Sequence, residues 1–470
     1  MYTSVIIISS NSIKVGVFDE DKLIFMNSEG FKNIKAEIAF KTITNLLLNI
    51  PQHLKVGISK LIIGGLRSGF LTVNKDGRIV VDVMPWYDKR ALKEAEELER
   101  KIPDIFEVTG LRCLPYYSAP KILWLKRYYP EKAEKSYKFL LLLDYILSKL
   151  IGEKKHYYTD ITVVNRTLMY NIRKREWSDE ILSLLDVSED KLPEVSETGK
   201  VLGILGESVR RKTRMSKVEV INAGGDQQLS IYALADLKED EVALNMDTGV
   251  FVLKPLKDLK PYTPKFIYSI HTDNRLFVLE GVVITAGLAL SYMLHLLDLT
   301  YEAVRKAYPI RTNIICMPFI SGRGSPSWNP NIPASIFNLS LWSDKIEILK
   351  AVIEGILFEI KCVIESLNQE GINIKRVKVS GELSSDECLI QMLSDVLNLP
   401  VVRIEPRETV FYGALKVAGN QKLKIKESKV LYPNDKLAKY YEEKYDYYKK
   451  IVDYMEKYPR SQIAIYPHFY

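Results

Sequence analysis

The stretch Gly224-Gly225-Asp226-Gln227-Gln228 decides how this sequence is interpreted. An apolar run at 218–221 precedes it and predicts a strand, while the residues that follow predict a helix. A turn of this kind places Asp226 at a helix N-terminus, with little side-chain bulk in front of its carboxylate. Two interpretations are open at this point. Asp226 either caps the helix or faces a cleft where a carboxylate can do chemistry.

Strand and helix patterns alternate on both sides of this turn, as is typical of α/β domains. The predicted strands are 5–8, 15–18, 23–25, 61–63, 218–221, 242–246, 276–279 and 377–379, of which the first three should form a β-meander. The predicted helices are 36–48, 121–128, 139–150, 179–185 with Ser178 as its cap, 281–297, 346–367, 388–397 and 435–456.

The chain length predicts more than one domain. At 470 residues the chain exceeds what a single hydrophobic core usually supports, so two domains are the simplest expectation. We place the boundary after the Asp226 stretch, which gives domains over 1–228 and 229–470. The charged, tyrosine-rich segment 435–456 is expected to be a solvated terminal helix.

The charge distribution argues against a nucleic-acid partner. The formal net charge of +7 comes from 66 basic and 59 acidic residues that are mostly interleaved, so the surface field should be mild. The densest basic run, Arg210-Arg211-Lys212-Thr213-Arg214, is interpreted as a solvated loop rather than as a phosphate-backbone site.

Cysteine usage and hydropathy indicate a cytoplasmic protein with no membrane partner. The four cysteines lie far apart without zinc-like spacing, and a reducing compartment fits them best. The apolar run at 5–8 is too short for a signal-peptide core. The segment 281–297 is slightly short for a membrane span and contains His295, so a buried helix is the preferred interpretation.

Several short runs of characteristic composition are spread along the chain. They are Trp86-Tyr87-Asp88-Lys89-Arg90, Thr109-Gly110-Leu111, Pro115-Tyr116-Tyr117-Ser118-Ala119-Pro120-Lys121, Thr159-Asp160, Asn165-Arg166-Thr167, Leu192-Pro193-Glu194-Val195, the Asp226 stretch, Asp247-Thr248-Gly249, Glu280-Gly281, Gly322-Arg323-Gly324-Ser325-Pro326-Ser327-Trp328, the segment 391–400, Glu408-Thr409 and Gly413-Ala414. In order and in spacing these runs resemble the FGGY-type carbohydrate kinases, with a pattern closest to glycerol kinase. The resemblance extends over nearly the whole chain.

This resemblance implies a fold and a catalytic residue. The fold would be two ribonuclease-H-like α/β domains of the actin-like ATPase kind, with an interdomain cleft that closes on ligand. The N-terminal domain would bind the acceptor and the C-terminal domain the nucleotide. Asp226 would be the base that removes a proton from the acceptor hydroxyl as it attacks the γ-phosphate.

The resemblance also implies an acceptor pocket. Arg67, Trp86, Tyr116 and Phe251 are of the residue types that line the glycerol pocket in glycerol kinase, with Asp226 and Gln227 beside them. Aromatic rings would cover the carbons of a small polyol, while polar groups bind its hydroxyls. For each aromatic residue, ordinary core packing is the alternative. Ser68 stands where glycerol kinase has an acidic residue, which predicts weaker binding of glycerol or room for another polyol or ketose.

The first phosphate hairpin departs from the family pattern. The run Ile7-Ile8-Ser9-Ser10-Asn11-Ser12-Ile13-Lys14 keeps Lys14 and small donors such as Ser10 and Asn11. The family's Asp, which helps to hold hydrated Mg²⁺, is Ile7 here, and its Gly is Ser9. We expect Ser10, Asn11 and Lys14 to contact the nucleotide.

The second phosphate hairpin holds Asp247 before Thr248 and Gly249, where the family usually begins with Gly. An Asp beside a phosphate costs on the order of 4 kcal/mol per charge at about 4 Å unless it is neutralised. Two interpretations follow. Asp247 replaces the missing first-hairpin Asp as a magnesium partner, which we favour, or the site no longer binds ATP. Asp226 is a further candidate metal partner.

The adenosine motif appears as Ser380-Gly381-Glu382-Leu383, with Asp386 at the position of the family's Asn. Glu382 either accepts a hydrogen bond from a ribose hydroxyl or blocks adenine. Gly322 and Gly324 would lie along the phosphate path, and Arg323 between them either adds a positive charge there or is a surface arginine.

Two functions are therefore carried forward. The first is an ATP- and Mg²⁺-dependent kinase of glycerol or another small polyol or sugar. The second is a non-catalytic polyol-binding or regulatory relative with a decayed nucleotide site. The sequence allows a homodimer without indicating one, and it leaves the acceptor and the regulation open.

Overall fold

The computed structural model of the chain describes residues 1–31, 33–153, 155–234, 237–419, 423 and 425–457. The strands are β1 Tyr2–Ile8, β2 Ser12–Asp19, β3 Lys22–Gly30, β4 Ile58–Gly65, β5 Gly69–Val73, β6 Ile79–Pro85, β7 Lys138–Leu141, β8 Tyr158–Asp160, β9 Tyr170–Asn171, β10 Glu176–Trp177, β11 Glu194–Ser196, β12 Val201–Ile204, β13 Glu219–Gly225, β14 Glu241–Met246, β15 Val250–Leu256, β16 Ile267–Ile270, β17 Phe277–Val283, β18 Ile315–Met317, β19 Ser335–Phe337, β20 Arg376–Ser380, β21 Val401–Glu405 and β22 Lys426–Leu431.

The α-helices alternate with these strands through most of the chain. They are α1 Ala36–Leu48, α2 Gln52–Lys55, α3 Leu92–Lys101, α4 Ile105–Thr109, α5 Ser118–Tyr128, α6 Pro130–Lys135, α7 Leu142–Ile151, α8 Asp179–Leu185, α9 Glu207–Thr213, α10 Asp226–Ala233, α11 Gly287–Leu296, α12 Glu302–Lys306, α13 Lys345–Gln369, α14 Glu387–Leu397, α15 Thr409–Val417 and α16 Asp435–Lys457.

The chain divides into two compact units that are discontinuous in sequence. The first contains residues 1–235, 255–279 and 408–425, and the second contains 236–254, 280–407 and 426–470. The single division predicted after residue 228 lies close to the first of these boundaries. As a statement about domains it stays a prediction.

The main sheet of the first unit has the strand order β12-β13-β4-β1-β2-β3. Strands β1, β2 and β3 pair antiparallel, which confirms the β-meander, and β1, β4 and β13 run parallel. Ile8 of β1 pairs with Gly65 of β4, and Gly65 pairs with Gly225 of β13. The carboxyl ends of three adjacent parallel strands therefore stop at the same edge, which is where ligands bind in sheets of this kind.

Both faces of this sheet are covered by apolar side chains. One face packs against α1, α7 and α9, through residues such as Ile43 and Leu147. The other face packs against α10 and α15, where Phe411 and Leu415 join Ile7 and Leu229 in one core cluster. Close packing of α15 on α10 explains why residues 408–425 return to the first unit. A Cβ on Gly413 would lie 2.0 Å from the Leu229 carbonyl oxygen.

The strands of the second unit repeat this arrangement in the order β17-β15-β14-β20-β21-β22. Strand β14 is antiparallel to β15 and parallel to β20, which is parallel to β21. Each unit thus has an antiparallel hairpin on one side of its first strand and parallel strands on the other. This is the ribonuclease-H-like order, and the predicted two-domain α/β fold is confirmed.

Three predicted elements differ in the structure. Residues 138–141 form β7, and the helix predicted over 139–150 begins at Leu142. Residues 281–283 belong to β17, and the helix predicted over 281–297 begins at Gly287. The basic run 210–214 lies mostly on helix α9 and was wrongly predicted as a loop. The first two errors share one cause, since a strand and a helix joined without a polar break form one apolar run.

Helix α16 was predicted as solvated, and this is wrong for one of its faces. Tyr441, Tyr445 and Tyr448 are among the largest fully buried side chains of the protein. Tyr448 Oη donates to Glu359 on α13 at 2.8 Å, and Lys444 Nζ lies 2.5 Å from Glu354 on the same helix. The tyrosine spacing of three and four residues is the amphipathic period that the charged composition concealed.

Among the residues that the structure describes, no helix is both long enough and apolar enough to cross a bilayer. All four cysteines are free, and Cys113, Cys316 and Cys362 are buried.

Candidate functional site

The carboxyl edge of β1, β4 and β13 brings together the first group of predicted site residues. The hairpin residues Ser10 and Asn11 follow β1, Arg67 and Ser68 follow β4, and Asp226 follows β13. Because Ile8, Gly65 and Gly225 are in register, these side chains leave the sheet at the same end. Strand topology therefore assembles residues that are far apart in sequence.

Asp226 is the first residue of α10, and Gly225 occupies the N-cap position. The Asp226 carboxylate accepts a hydrogen bond from the backbone N–H of Gln227 at 2.8 Å, whereas an N-cap side chain bonds two or three residues ahead. Its Oδ1 also lies 3.1 Å from Nε of Arg67. The structure thus favours a carboxylate paired with an arginine over a helix cap.

The exposure of this pair differs between its two members. The Arg67 side chain is 9% exposed, and that of Asp226 is 27% exposed. Arg67 is therefore held by its surroundings, while the carboxylate can be reached from solvent. Gln227, the next residue, is buried. A buried guanidinium beside an accessible carboxylate can orient both that carboxylate and a bound hydroxyl.

The two glycines before Asp226 are required by close packing. Gly224 has a φ of +78°, which favours glycine. A Cβ at Gly224 would lie 2.3 Å from Thr162 Oγ1, and one at Gly225 would lie 2.7 Å from Arg67 Cδ. Any larger residue would displace either Arg67 or the turn itself.

An aromatic wall, defined as Trp86 and Tyr116, lies in the same unit. The two rings meet edge to face with centroids 6.1 Å apart. Trp86 Nε1 donates to Ser10 Oγ at 3.1 Å, which ties the wall to the hairpin after β1. Burial raises the pKa of Tyr116 to about 12, so its hydroxyl stays neutral and can donate a hydrogen bond.

Sequence reasoning did not identify Lys121 as part of the support for this wall. Lys121 is fully buried, and its Nζ donates to the carbonyl oxygens of Met84, Pro85 and Tyr116 at 3.0, 2.8 and 3.0 Å. It thereby joins the backbone just before Trp86 to that of Tyr116. The available signal was the position of Lys121 in the same short run as Tyr116.

The first hairpin follows a core side chain at the position where the resemblance predicts a carboxylate. Ile7 is 4% exposed and packs in the apolar core beside Phe18 and Leu229. Ser9 N–H donates to the Ser12 carbonyl at 2.8 Å, which closes the turn that exposes Asn11. Lys14 is half-buried on β2, where it pairs with Ile7.

The second group of predicted residues lies in the second unit, on the turn between β14 and β15. Asp247 Oδ1 accepts a hydrogen bond from the backbone N–H of Glu382 at 2.8 Å, so the turn is tied to the segment after β20. Thr248 is exposed, whereas Gly249 is buried. A Cβ on Gly249 would lie 2.9 Å from the Val283 carbonyl oxygen, which leaves room only for glycine.

The predicted adenosine residues follow β20 in the same unit. Gly381 has a φ of +90°, and Glu382 after it is exposed. Asp386 is buried as the N-cap of α14, where Oδ1 accepts from Leu389 N–H at 3.1 Å and Oδ2 lies 3.4 Å from Arg305 Nε. The structure explains Asp386 as a helix cap, and its role towards adenosine stays a prediction.

One of the two interpretations of Arg323, a surface arginine, is wrong. Arg323 is only 6% exposed, and its guanidinium bonds Glu359 through Nε and Nη2 at 2.8 and 3.1 Å. Its Nη1 bonds Glu456 at the end of α16. It is therefore not a surface arginine, and a contribution of its charge to the phosphate path stays a prediction.

The neighbouring glycines are constrained by packing. Gly322 has a φ of +90°, and a Cβ on Gly324 would lie 2.0 Å from the Val282 carbonyl oxygen. Phe251, the fourth predicted pocket residue, is half-buried on β15. The roles of Gly322, Gly324 and Phe251 towards ligands stay predictions.

The carboxylates present fit a magnesium ion that is held partly by the protein and partly by substrate phosphates and water. Within the described part of the chain, no group of three or more His, Cys, Asp or Glu side chains is placed to hold a metal ion. Mg²⁺ is commonly held by one or two carboxylates together with substrate phosphates and water. Asp226 and Asp247 are of that type, and each carries at least one hydrogen bond that orients it.

Comparison with protein families identifies both halves of the chain. The FGGY family of carbohydrate kinases, N-terminal domain, matches residues 9–233, and the C-terminal domain of the same family matches residues 242–421.

Curated relatives and solved structures agree with this match. A glycerol kinase of Mycoplasmoides gallisepticum is 28% identical over 79% of this chain and 76% of its own length, and one of Treponema denticola is 30% identical over 73% and 72%. A ligand-bound xylulose kinase from Lactobacillus acidophilus superposes with a TM-score of 0.86 at 20% identity, covering 97% of this chain and 98% of that chain. A Plasmodium falciparum glycerol kinase with ADP gives 0.82 at 23% identity, covering 96% and 98%.

Proposed function

Because the chain belongs to the FGGY family of carbohydrate kinases, we propose that it transfers a phosphoryl group from ATP to a hydroxyl of glycerol or a similar small polyol or sugar. The observation that carries this proposal is the pairing of Arg67 with Asp226 at the carboxyl edge of the first sheet. Glycerol kinases among the relatives support a polyol acceptor.

Asp226 is proposed as the general base. The acceptor O–H gives its proton to the Asp226 carboxylate while the acceptor oxygen forms a bond to the γ-phosphorus of ATP. The bond from that phosphorus to the bridging oxygen breaks, and ADP leaves with the electron pair. A positioned base of this kind contributes about 10²- to 10⁴-fold to the rate.

Arg67 and the aromatic wall are proposed to bind the acceptor. Arg67 contributes a guanidinium, whose N–H groups are of the type that binds a hydroxyl, and Trp86 and Tyr116 can cover the carbon chain. Ser68 is half-buried beside Arg67 and supplies a hydroxyl in place of a carboxylate. A hydroxyl is a weaker hydrogen-bond acceptor than a carboxylate, which favours substrates other than glycerol. Ser68→Glu should therefore shift the substrate preference towards glycerol.

The nucleotide is proposed to contact residues of both hairpins, namely Ser10, Asn11, Lys14, Thr248 and Gly249. Gly322, Gly324, Gly381, Glu382 and Asp386 are proposed to line the rest of its path. A bound Mg²⁺ ion would neutralise charge on the phosphates, with the Asp226 and Asp247 carboxylates as its proposed protein partners.

A non-catalytic polyol-binding relative is the second candidate. Two observations favour it: Ile7 fills the position of a family carboxylate with a core side chain, and Asp247 already accepts a hydrogen bond from Glu382. This candidate predicts binding of a polyol without turnover of ATP.

An ADP-release assay with MgATP across glycerol, tetritols and ketoses separates the two candidates. We expect acceptor-dependent ADP release by the wild type and a loss of at least 100-fold in Asp226→Ala. Asp179→Ala is the matched control, because Asp179 is also the first residue of a helix and is exposed on α8. Polyol binding without ADP release would establish the second candidate instead.

A further inference from the structure

A buried carboxylate outside the proposed site lies directly behind the Gly224-Gly225 turn. Asp160, the last residue of β8, is fully buried. Its Oδ1 accepts hydrogen bonds from Thr162 N–H at 2.8 Å, from Thr162 Oγ1 at 2.6 Å and from Thr198 Oγ1 at 2.9 Å, and its Oδ2 accepts one from Asn222 Nδ2 at 2.7 Å. Four donors thus converge on a single carboxylate.

Two of these partners reach the backbone of the turn. Thr162 Oγ1 accepts from Gly225 N–H at 3.0 Å, and Asn222 Oδ1 accepts from Gly224 N–H at 3.3 Å. Because the Thr162 hydroxyl gives its only proton to Asp160, its lone pairs are left to face Gly225. Asp160 therefore sets the orientation of the two side chains that hold the turn.

The turn is also packed against this network without spare room. Gly224 has a φ of +78°, and a Cβ there would lie 2.4 Å from Asp160 Oδ1 and 2.3 Å from Thr162 Oγ1. Hydrogen bonds on one side and steric contact on the other restrict Gly224 and Gly225 to one conformation. That conformation sets the direction of the Asp226 side chain. Hydrogen bonds to an ionised acceptor are stronger than those between neutral groups, so a carboxylate is well suited to hold the turn in place.

We propose that Asp160 is a positioning residue, which acts through Thr162 and Asn222 to hold the Gly224-Gly225 turn so that Asp226 meets the acceptor hydroxyl. Asp160 itself touches neither substrate nor reacting atoms. The inference rests on the proposed function for its kinetic consequence, whereas the holding of the turn does not depend on it.

Thr162→Val tests the proposal, because it keeps the side-chain shape and removes both the donor to Asp160 and the acceptor for Gly225. Since a displacement of about 1 Å can cost about 100-fold in rate, we expect kcat to fall 10- to 100-fold while the KM of the acceptor changes less than threefold. Thr162→Ser, which keeps the hydroxyl, should restore kcat to within threefold of the wild type.

Thr213→Val is the matched control. Thr213 is also fully buried and donates through Oγ1 to the Val209 carbonyl at 2.8 Å, but it lies on α9 away from the turn. Its removal should lower thermal stability without changing kcat. If Thr162→Val and Thr213→Val affected kcat equally, or if Thr162→Ser failed to restore it, the positioning role would be overturned.

Two further measurements keep the proposal testable. If Thr162→Val fails to fold, Thr198→Val removes one donor to Asp160 without touching the turn and should lower kcat by a smaller factor; an unchanged kcat would count against the proposal. Amide hydrogen exchange at Gly225 needs no substrate and should accelerate at least tenfold in the Thr162 or Thr198 variant. Unchanged exchange would refute the holding of the turn, whereas a wild type without turnover would refute the proposed function alone.

Discussion

Arg67 and Asp226 show how a pair distant in sequence becomes one chemical unit. Their contact follows from the register of β4 with β13, which no local pattern contains. Residue types and family motifs predicted both residues for the site, and their roles there stay predictions. The sequence did not predict that Gly225 would take the N-cap and leave Asp226 in the first helical position.

Arg67→Met should lower kcat/KM for the acceptor by about 10- to 100-fold, because a hydrogen bond to a charged group contributes about 1.5–3 kcal/mol. Arg67→Lys should recover only part of this loss, since an ammonium cannot reproduce the planar guanidinium. Steady-state kinetics with varied acceptor would measure both. Arg275→Met, which breaks an exposed pair with Asp273, is the control and should leave kcat/KM unchanged. A fully active Arg67→Met variant would contradict the proposed acceptor site.

Asp247→Asn separates a metal role from a structural one. Asn keeps an oxygen that can accept the Glu382 N–H bond but removes the negative charge. We expect the Mg²⁺ concentration for half-maximal activity to rise by about tenfold or more, with thermal stability preserved. Asp247→Ala should lose both properties. If Asp247→Asn left the Mg²⁺ dependence unchanged, the role of Asp247 would be to accept the Glu382 hydrogen bond and not to bind the metal.

At the scale of single elements, α5 carries the residue that holds the aromatic wall. Lys121→Met keeps the side-chain length but leaves the carbonyls of Met84, Pro85 and Tyr116 without this donor. The Pro85 carbonyl still accepts from Asp88 N–H, but a buried carbonyl that loses its partner costs about 1–3 kcal/mol, so the wall should loosen. We expect the acceptor KM to rise about tenfold or more with kcat within about threefold.

The control for this prediction lies on the same helix. Lys126 also donates to a backbone carbonyl, that of Asp186, but does so at the surface. Lys126→Met should leave the acceptor KM unchanged. A Lys121→Met enzyme with wild-type acceptor KM would show that the wall does not depend on this lysine.

Asp144, a buried carboxyl group on helix α7, should make the free energy of unfolding depend on pH. Burial raises the pKa of Asp144 to about 8, well above that of a carboxyl group in an unfolded chain. Between about pH 4 and pH 8 the folded state keeps a proton that the unfolded state has lost, so stability falls as pH rises, by at most about 1.4 kcal/mol per pH unit from this group.

Asp144→Asn removes this titration and keeps an acceptor for the Leu141 N–H at the helix start. Urea unfolding at about pH 5, 6, 7 and 8 should show the wild type losing stability relative to the variant as pH rises. Asp179→Asn, an exposed first-turn carboxylate on α8, should show no such trend. A constant difference between the wild type and Asp144→Asn across this range would refute the assignment.

Prediction of elements from sequence succeeded where local signals were complete. The helices over 36–48 and 179–185 have the predicted bounds, and Ser178 accepts from Ile181 N–H as predicted. It failed at 139–150 and 281–297, where a buried strand runs into a buried helix. In such runs apolar residues occur on every face, so periodicity does not mark the boundary.

At the scale of the whole molecule, the family and the two-domain α/β fold were predictable because many motifs recur in one order. The contributions of α15 and α16 were not. Residues 408–425 complete the core of the first unit from the far end of the sequence, and Arg323 is bound by Glu456 more than a hundred residues later. Contacts of this range depend on strand order and packing, which single-sequence patterns do not encode.

The central claim is that this chain phosphorylates a polyol or sugar hydroxyl with Asp226 as the base, and identification of the product by ³¹P NMR tests it most directly. With MgATP and an acceptor, the wild type should produce ADP together with a phosphomonoester of that acceptor. Asp226→Asn, which retains the shape but not the basicity of the side chain, should produce neither at a comparable rate. ATP consumption that yields only inorganic phosphate, or an Asp226→Asn variant as fast as the wild type, would contradict the claim.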